Sequence, residues 1–162
     1  MPKVAVIMGS GSDMPVLEAA INRLRFFGID AEVRIMSAHR TPDRAAAFAK
    51  SAAANGFDCI IAAAGKAAHL PGVLAAFTVL PVIGVPIKSS FMDGMDSLLS
   101  IVQMPTGVPV ATVGVDAAEN AAILAAQMLA LKYPELTQKL AAFKEEMARK
   151  VIESDEALER RR

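Results

Sequence analysis

The stretch DCIIAAA, residues 58–64, is apolar at every position after Asp58. A strand with one face in water alternates apolar and polar residues, whereas a strand that is covered on both faces is a continuous apolar run. Coverage on both faces is typical of parallel sheets with helices packed on each side. Residues 58–64 therefore predict a buried strand of a parallel sheet.

Four other short, mostly apolar segments alternate along the chain with longer, helix-like segments. We predict the remaining strands at 3–8, 31–36, 81–85 and 109–115. We predict helices at 14–28, 41–56, 69–77 and 96–104, with Gly28 and Gly56 at two of the C-terminal ends. This alternation predicts a three-layer, doubly wound parallel α/β sheet.

The last part of the chain predicts a long helix over about 134–159, with a break in the helical pattern before Pro134. One side of this helix carries an apolar stripe formed by Leu136, Leu140, Phe143, Met147 and Val151. The stripe is compatible with packing on the same domain, but a helix this long extends past the edge of a small domain. We therefore predict one α/β domain, residues 1–162, whose C-terminal helix packs on a neighbouring subunit.

The bulk composition excludes several classes of protein. The 162 residues include 17 Lys and Arg and 17 Asp and Glu, so the basic excess of a nucleic-acid-binding protein is absent. No segment has the roughly 20 consecutive apolar residues of a membrane span, and MPKVAVIMGS lacks the pattern of a signal peptide. Because Cys59 is the single cysteine, we predict a cytoplasmic protein that binds neither nucleic acid nor membrane.

Three loops that follow predicted strands carry the polar residues of interest: MGSGSDM (8–14), MSAHRTP (36–42) and AGKAAHLPG (64–72). In an open parallel sheet, ligands bind beyond the carboxyl ends of the strands, where the strand order reverses. In a flavodoxin-like order the first and third strands flank that reversal, so the three loops would converge. Both histidines of the chain, His39 and His69, lie on these loops, which predicts a site there.

The first loop, GSGSD (9–13), has the features of an anion-binding loop. Its glycines allow close backbone approach, the following helix N-terminus attracts anions, and Ser10 and Ser12 add hydroxyl donors. A dinucleotide-binding fingerprint would require a glycine in place of Met14, and no P-loop sequence is present. The loop therefore predicts a phosphate or ribose site, with the alternative that Ser12 or Asp13 only caps the helix.

The second loop places His39 beside Arg40. The helix that follows has its own start signals in Thr41, Pro42 and Asp43, so His39 is not needed as a cap. An imidazole can accept and return a proton near neutral pH, and a guanidinium offers planar donors to a phosphate. His39 is therefore a candidate general acid/base, and Arg40 is a candidate phosphate ligand.

For His69 and Cys59, a purely structural role is the alternative to a role in catalysis. A histidine at the start of a helix can hydrogen-bond backbone groups, so both a structural and a catalytic role are open for His69. Two histidines without carboxylates or cysteines at ligand spacing do not form a metal site. Cys59 lies within an apolar strand and is predicted to be a core thiol.

The segments GSGSD, SAHRTP, AAHLPG and DSLLSIVQMP, in this order and at these distances, resemble the PurE family over about residues 3–150. The closer match is to its bacterial class, the N5-carboxyaminoimidazole ribonucleotide mutases. The resemblance implies a flavodoxin-like fold and a step of purine biosynthesis that converts an N5-carbamate into its C4-carboxylate isomer. It also implies no cofactor, a homo-octamer with active sites at subunit interfaces, and transient contact with the ATP-dependent enzyme that forms the carbamate.

The resemblance further implies roles for individual residues at matched positions. His39 matches the general acid/base of the family, and His69 matches its second histidine. The residues that the resemblance places around the nucleotide are Ser10, Ser12, Asp13, Ser37 and Arg40.

Two segments depart from the usual family pattern. Lys66 stands where the family usually has a glycine, and SSFMDG (89–94) replaces a commoner run of small residues. In the family's other class, the direct carboxylases, a lysine replaces Arg40 and a Ser-Asn pair replaces the AAH segment (67–69), so this chain matches the mutases at both places. The open alternatives are a direct carboxylase, a ribonucleotide-binding homologue without turnover, and a flavoprotein, which the lack of tryptophan disfavours.

Overall fold

The computed structural model describes residues 1–161, so Arg162 of the predicted domain lies outside the described residues. Five strands form its centre: β1 (Lys3–Met8), β2 (Asp30–Ile35), β3 (Cys59–Gly65), β4 (Val82–Ile87) and β5 (Ala111–Thr112). All neighbours are parallel, in the order β2-β1-β3-β4-β5. This order confirms the predicted flavodoxin-like, doubly wound sheet.

Six α-helices connect and cover the strands. They are α1 (Met14–Phe27), α2 (Pro42–Ala52), α3 (Leu70–Phe77), α4 (Met95–Val102), α5 (Ala118–Ala130) and α6 (Glu135–Glu159). The 25 residues of α6 confirm the predicted long C-terminal helix. None of the six, among residues 1–161, combines the length and the apolar character that a membrane span requires.

The two faces of the sheet are buried in separate cores, as the apolar run 58–64 predicts. Successive residues of β3 point to opposite faces: Ile61 belongs to the core with α1 and α5, and Ile60 to the core with α2 and α3. Both side chains are fully buried. Since a polar side chain fits neither face of such a strand, the polar residues of the central strands are confined to their ends.

Of the two glycines predicted to end helices, Gly28 does so, and Gly56 lies in a turn beyond the end of its helix. Gly28 follows α1 with a φ of +75°, the left-handed conformation that glycine adopts without steric penalty. The second helix ends at Ala52, earlier than expected. Gly56, with a φ of +79°, instead forms part of the turn that leads into β3.

The fifth strand is much shorter than the sequence pattern indicates. Only Ala111–Thr112 of the predicted 109–115 pair with β4, opposite Ile83 and Gly84. Pro109 has no N–H to donate, and β5 lies at the edge of the sheet, where it has a neighbour on one side only. An edge strand this short presents few unpaired backbone groups.

The apolar stripe of α6 divides into two parts. Leu136 and Leu140 are buried in the core beneath α1 and α5, and Phe143 packs against that core. Met147 and Val151 are 44% and 71% exposed. The first half of the stripe thus packs on the chain's own core, and the second half extends beyond it.

Asp58, immediately before β3, joins β1 to the end of α5. Its carboxylate accepts hydrogen bonds from the Lys3 N–H at 3.0 Å, the Lys132 ammonium at 2.7 Å and the Tyr133 hydroxyl at 3.1 Å. Burial alone would raise the pKa of Asp58, but these donors together outweigh it and hold the pKa below its ordinary value. The folded chain therefore favours the ionised carboxylate.

We expect Asp58→Asn to lower the free energy of unfolding by about 1–3 kcal/mol at neutral pH, because it removes a hydrogen-bonded charge. The pKa of Asp58 is lower in the folded than in the unfolded chain, so this stabilisation is present above the unfolded-state value of about 4. It is lost as the pH falls through the folded-state value. Urea unfolding of both proteins across this pH range measures the difference, and a difference that does not shrink towards acid pH contradicts the assignment.

Candidate active site

A cleft of about 560 Å³ opens at the carboxyl ends of β1, β2, β3 and β4. It lies where the strand order reverses, because β2 flanks β1 on one side and β3 and β4 follow on the other. Doubly wound sheets bind ligands at this position. The loops after β1, β2 and β3 converge there, as the sequence predicts.

All seven residues that sequence reasoning assigned to a site line this cleft. They are Ser10, Ser12, Asp13, Ser37, His39, Arg40 and His69. The loop after β4 adds a further wall that contains Lys88, Ser89 and Ser90. The sequence analysis singled out the segment 89–94 as a departure from the family pattern but missed Lys88, although the place of Lys88 directly after a buried strand puts it at the same edge of the sheet.

In the first loop, Ser10 caps the short turn before α1, and Asp13 faces the cleft. The Ser10 hydroxyl accepts a hydrogen bond from the Ser12 N–H at 3.3 Å, and the hydroxyl oxygens of Ser10 and Ser12 lie 2.9 Å apart. Asp13 is only 9% exposed and makes no capping hydrogen bond to α1. Burial raises the pKa of Asp13 despite a hydrogen bond from the Ser12 hydroxyl. A carboxylate with so few donors around it suits a ligand that donates hydrogen bonds, such as a ribose.

The second loop is closed by Thr41 in a way that the sequence did not indicate. Thr41 occupies the N-cap position of α2, but its hydroxyl makes no hydrogen bond to the helix. Instead it accepts from the Ser37 N–H at 2.9 Å and donates to the Ser37 carbonyl at 3.1 Å. The predicted start of α2, with Thr41 at the N-cap, Pro42 next and Asp43 in the first turn, is confirmed, but the Thr41 hydroxyl does not cap the helix. Its pairing with Ser37 instead fixes the loop that presents His39 and Arg40.

Arg40 links the first and second loops. Its Nη2 donates to the Gly9 carbonyl at 2.9 Å, and its backbone N–H donates to the Ser37 hydroxyl at 3.1 Å. A guanidinium carries more donors than these contacts use. Arg40 is thus anchored on one side and retains N–H groups for an anion in the cleft.

The two histidines contact each other across the cleft. His39 Nε2 lies 2.8 Å from His69 Nδ1, and the rings meet edge to face with their centroids 4.9 Å apart. His69 stands at the N-cap position of α3 but makes no capping hydrogen bond with its side chain. One nitrogen of the pair must donate and the other accept, so each ring sets the tautomer and orientation of its partner.

Backbone strain is concentrated at the same edge of the sheet. The three non-glycine residues with positive φ among residues 1–161 are Lys66, Asp93 and Asp116, at +55°, +53° and +56°. They follow β3, β4 and β5 respectively. Aspartate is one of the few residues besides glycine that visit this conformation routinely, and the Asp116 carboxylate also accepts a hydrogen bond from the Lys88 N–H of the loop after β4, at 2.8 Å. Lysine is not among those residues.

The loop after β4 is organised by Ser89, which is 7% exposed. Its hydroxyl donates to the Asp96 carboxylate at 2.8 Å and accepts from the N–H groups of Phe91 and Met92, each at 3.3 Å. The Ser89 side chain therefore fixes the loop after β4 to the first turn of α4. The Phe91 side chain nevertheless remains 80% exposed, next in sequence to residues that line the cleft.

Cys59 is a core thiol, as predicted. It lies in the first core with no exposed surface. Burial raises the pKa of its thiol to about 12. A neutral thiol in this position is not a nucleophile.

Residues 3–150 match the AIR carboxylase family. The chain is 57% identical to the N5-carboxyaminoimidazole ribonucleotide mutase of Thermotoga maritima over 159 residues, which cover 98% of this chain and 93% of that protein. It is 58% identical to the protein of the same description from Pyrococcus abyssi over 149 residues, 92% of this chain and 86% of that protein. The solved structure of Treponema denticola PurE resembles the chain with a TM-score of 0.89 and 33% identity, over 98% of this chain and 99% of that one.

Lys66→Gly is expected to raise the free energy of unfolding by about 0.5–1 kcal/mol, because glycine adopts a positive φ without a steric penalty. The gain is limited because glycine also increases the entropy of the unfolded chain. Denaturant unfolding measures it, with Lys66→Ala as the matched variant that keeps the strained conformation. If the glycine variant is no more stable than the alanine variant, the backbone at residue 66 is not strained.

Proposed function

The chain belongs to the AIR carboxylase family, and from this we propose that it catalyses the reaction of the N5-carboxyaminoimidazole ribonucleotide mutases. The substrate is the N5-carbamate of aminoimidazole ribonucleotide, and the product is its C4-carboxylate isomer. The protein is accordingly an isomerase of purine biosynthesis. The high identity over nearly the whole chain to proteins of that description supports this assignment.

The observation that carries the proposal is the pair of imidazoles within one cleft, beside a guanidinium. His39 Nε2 and His69 Nδ1 are 2.8 Å apart, and Arg40 lines the same cleft. An isomerase for a phosphorylated, carboxylated substrate needs a group that moves protons and a group that holds an anion. These three side chains supply both.

The reaction moves carbon dioxide between two atoms of one substrate. Protonation of N5 by the His39 imidazolium accompanies cleavage of the bond from N5 to the carboxyl carbon, which releases carbon dioxide inside the cleft. The electron-rich C4 then attacks that carbon dioxide, and the proton on C4 passes to the imidazole. His39 thus recovers the proton it gave, and no net proton is consumed.

The other polar residues of the cleft position the substrate. Arg40 and Ser10 bind the phosphate, with Ser12 and Ser37 beside them. Asp13 accepts hydrogen bonds from the ribose, as its buried and sparsely bonded carboxylate suits. His69 orients His39 through their shared hydrogen bond and so selects the nitrogen that carries the proton. Positioning and water exclusion then supply the remaining catalysis.

The alternative functions are less well supported. A direct carboxylase would use aminoimidazole ribonucleotide and carbon dioxide, but Arg40 and the segment 67–69 have the residues of the mutase class. A binding protein without turnover would not need the His39–His69 contact. No feature of the cleft favours a flavin.

We also propose that the functional form is a homo-octamer with active sites at subunit interfaces. Both imidazoles are exposed in the single chain, whereas a reaction that holds free carbon dioxide requires a site closed to water. Walls from neighbouring subunits would close it.

Two separate apolar surfaces support such an assembly. One surface surrounds α4 and the preceding loop: Phe91, Met92, Met95, Leu99 and Val102. The other lies on the end of α6: Met147, Val151, Ile152 and Leu158. Single exposed apolar side chains are ordinary, but contiguous groups of them mark interaction sites. These two surfaces would supply interfaces of the proposed octamer.

We place the protein in the cytoplasm, where a chain with one unpaired cysteine is stable in reduced form. The carbamate substrate is labile, so rapid transfer from the ATP-dependent enzyme that makes it is advantageous. A transient contact between the two enzymes is therefore part of the proposal.

The assembly is tested by measuring molar mass with light scattering, for the wild-type chain and for Leu99→Glu. We expect eight copies for the wild type and smaller species for the variant, because a charge on the surface around α4 opposes burial. Leu158→Glu is the matched change on the other surface. A monomeric wild type at micromolar concentration contradicts the octamer.

The activity is tested by incubating the purified protein with the C4-carboxylated nucleotide, without ATP or metal. We expect enzyme-dependent loss of its ultraviolet absorbance, because the reverse reaction forms the labile carbamate. Trapping of that carbamate separates a mutase from a direct carboxylase. If the absorbance is stable although the nucleotide binds, the proposed activity is wrong.

In the same assay, His39→Asn is expected to lower kcat by about 10²–10⁴-fold, the usual contribution of general acid–base catalysis. His69→Asn keeps the imidazole of His39 but removes its partner, so a smaller loss is expected. Molar mass and circular dichroism control for folding and assembly. Near wild-type turnover by a folded His39→Asn protein would rule out the assigned role.

A further inference from the structure

Three cationic side chains line the cleft, and they differ in their existing partners. Arg40 donates to the Gly9 carbonyl at 2.9 Å. The Lys88 ammonium lies 3.5 Å from the Asp93 carboxylate. Lys66 has no ionic partner among residues 1–161. Among residues 1–161, Lys88 is the one of the three with an ion pair, so a ligand can engage Lys66 or Arg40 without breaking one, and Lys66 is the one of these two that is not anchored to a neighbouring loop carbonyl through its charged group.

Lys66 and Arg40 belong to loops on either side of the imidazole pair. Arg40 is next to His39 in the loop after β2, and Lys66 precedes His69 in the loop after β3. The two rings touch across the cleft. The reacting atoms of a substrate beside these rings therefore lie between two loops that each carry a cation, Arg40 on one and Lys66 on the other. The backbone at Lys66 is also held, because its carbonyl accepts a hydrogen bond from the Ala68 N–H at 2.8 Å.

The conformation of Lys66 is unfavourable for a lysine. Its φ of +55° lies in the left-handed region, which glycine adopts freely and a lysine adopts only with strain. Strained backbone of this kind is found preferentially at functional sites, where the surrounding structure enforces it. Lys66 places a charged side chain at a strained position on the wall of the cleft. We take this as an indication that the side chain contacts the ligand.

The substrate of the proposed reaction has two anionic groups, a phosphate on the ribose and the carboxyl group that migrates. Arg40 and the first loop hold the phosphate in the proposed function. The carboxyl group must lie beside the imidazole pair, where the proton is transferred. We propose that the Lys66 ammonium binds this carboxyl group, an inference that rests on the proposed function.

Lys66 would then determine specificity for carboxylated nucleotides. The carboxyl group moves only from N5 to the adjacent side of the ring, and the flexible stem of lysine can follow it. A nucleotide without the carboxyl group gains nothing from this ammonium. The ratio of the two affinities therefore reports the contact directly.

The experiment compares the binding of two nucleotides by calorimetry, with every variant made in a His39→Asn background so that the ligand is not converted: C4-carboxylated aminoimidazole ribonucleotide and the same nucleotide without the carboxyl group. For Lys66→Gln we expect the Kd of the carboxylated nucleotide to rise by about tenfold, as for loss of one charge-assisted hydrogen bond. The Kd of the uncarboxylated nucleotide should change by less than about twofold. Lys88→Gln, which removes the same charge from the same cleft, should leave the ratio of the two values unchanged.

Three results would overturn the proposal. An equal rise in both Kd values places Lys66 at the phosphate, and no rise in either means that it does not touch the nucleotide. A loss of the preference in Lys88→Gln instead of Lys66→Gln assigns the contact to Lys88.

Lys66→Gly keeps the measurement decisive if the glutamine variant folds poorly. Glycine relieves the strain and removes the charge, so this variant should be folded and should lose the same preference for the carboxylated nucleotide. Failure of the proposed function has a different signature: the wild type would bind both nucleotides but leave the carboxylated one unconverted. The ratio of affinities would still decide the role of Lys66.

Discussion

The burial of β3 on both faces is the constraint on which the rest of this structure depends. Ile60 and Ile61 point into two different cores, so a polar group has no place along the middle of the strand. All five strands are parallel, and their carboxyl ends therefore meet at one edge. The hydroxyls, the carboxylate, the imidazoles and the cations of the chain's cleft are gathered there as a direct result.

Within that edge, the chemistry depends on the contact between His39 and His69. Each ring comes from a different loop, after β2 and β3, and the strand order places those loops around β1. A single imidazole on a loop would be free to rotate, whereas the 2.8 Å contact restrains both rings. The exposure of this pair in one chain is also the reason for the proposed assembly, because the proposed reaction needs a site that water cannot enter.

The loops after β3, β4 and β5 differ in character from those after β1 and β2. The first two loops are held by ordinary hydrogen bonds, such as that between Thr41 and Ser37. The later loops contain Lys66, Asp93 and Asp116 in left-handed conformations. Lys66 and the segment 89–94, where the sequence analysis expects departures from the usual family pattern, both lie on this strained side of the cleft.

Local sequence patterns determined the parallel sheet, the bounds of most helices, and the three loops that line the cleft. Apolar runs, glycines at helix ends and the break before Pro134 are patterns of a few neighbouring residues, so they can be recognised in the sequence itself. They did not predict that β5 shrinks to Ala111–Thr112, that Thr41 bonds Ser37 instead of capping α2, or that the two imidazoles touch. The length of β5 and the contact between the imidazoles depend on distances between segments far apart in sequence, and only the packing of helices on the sheet sets such distances. Thr41 and Ser37 are four residues apart, but which group the hydroxyl bonds depends on the conformation of the whole loop between β2 and α2.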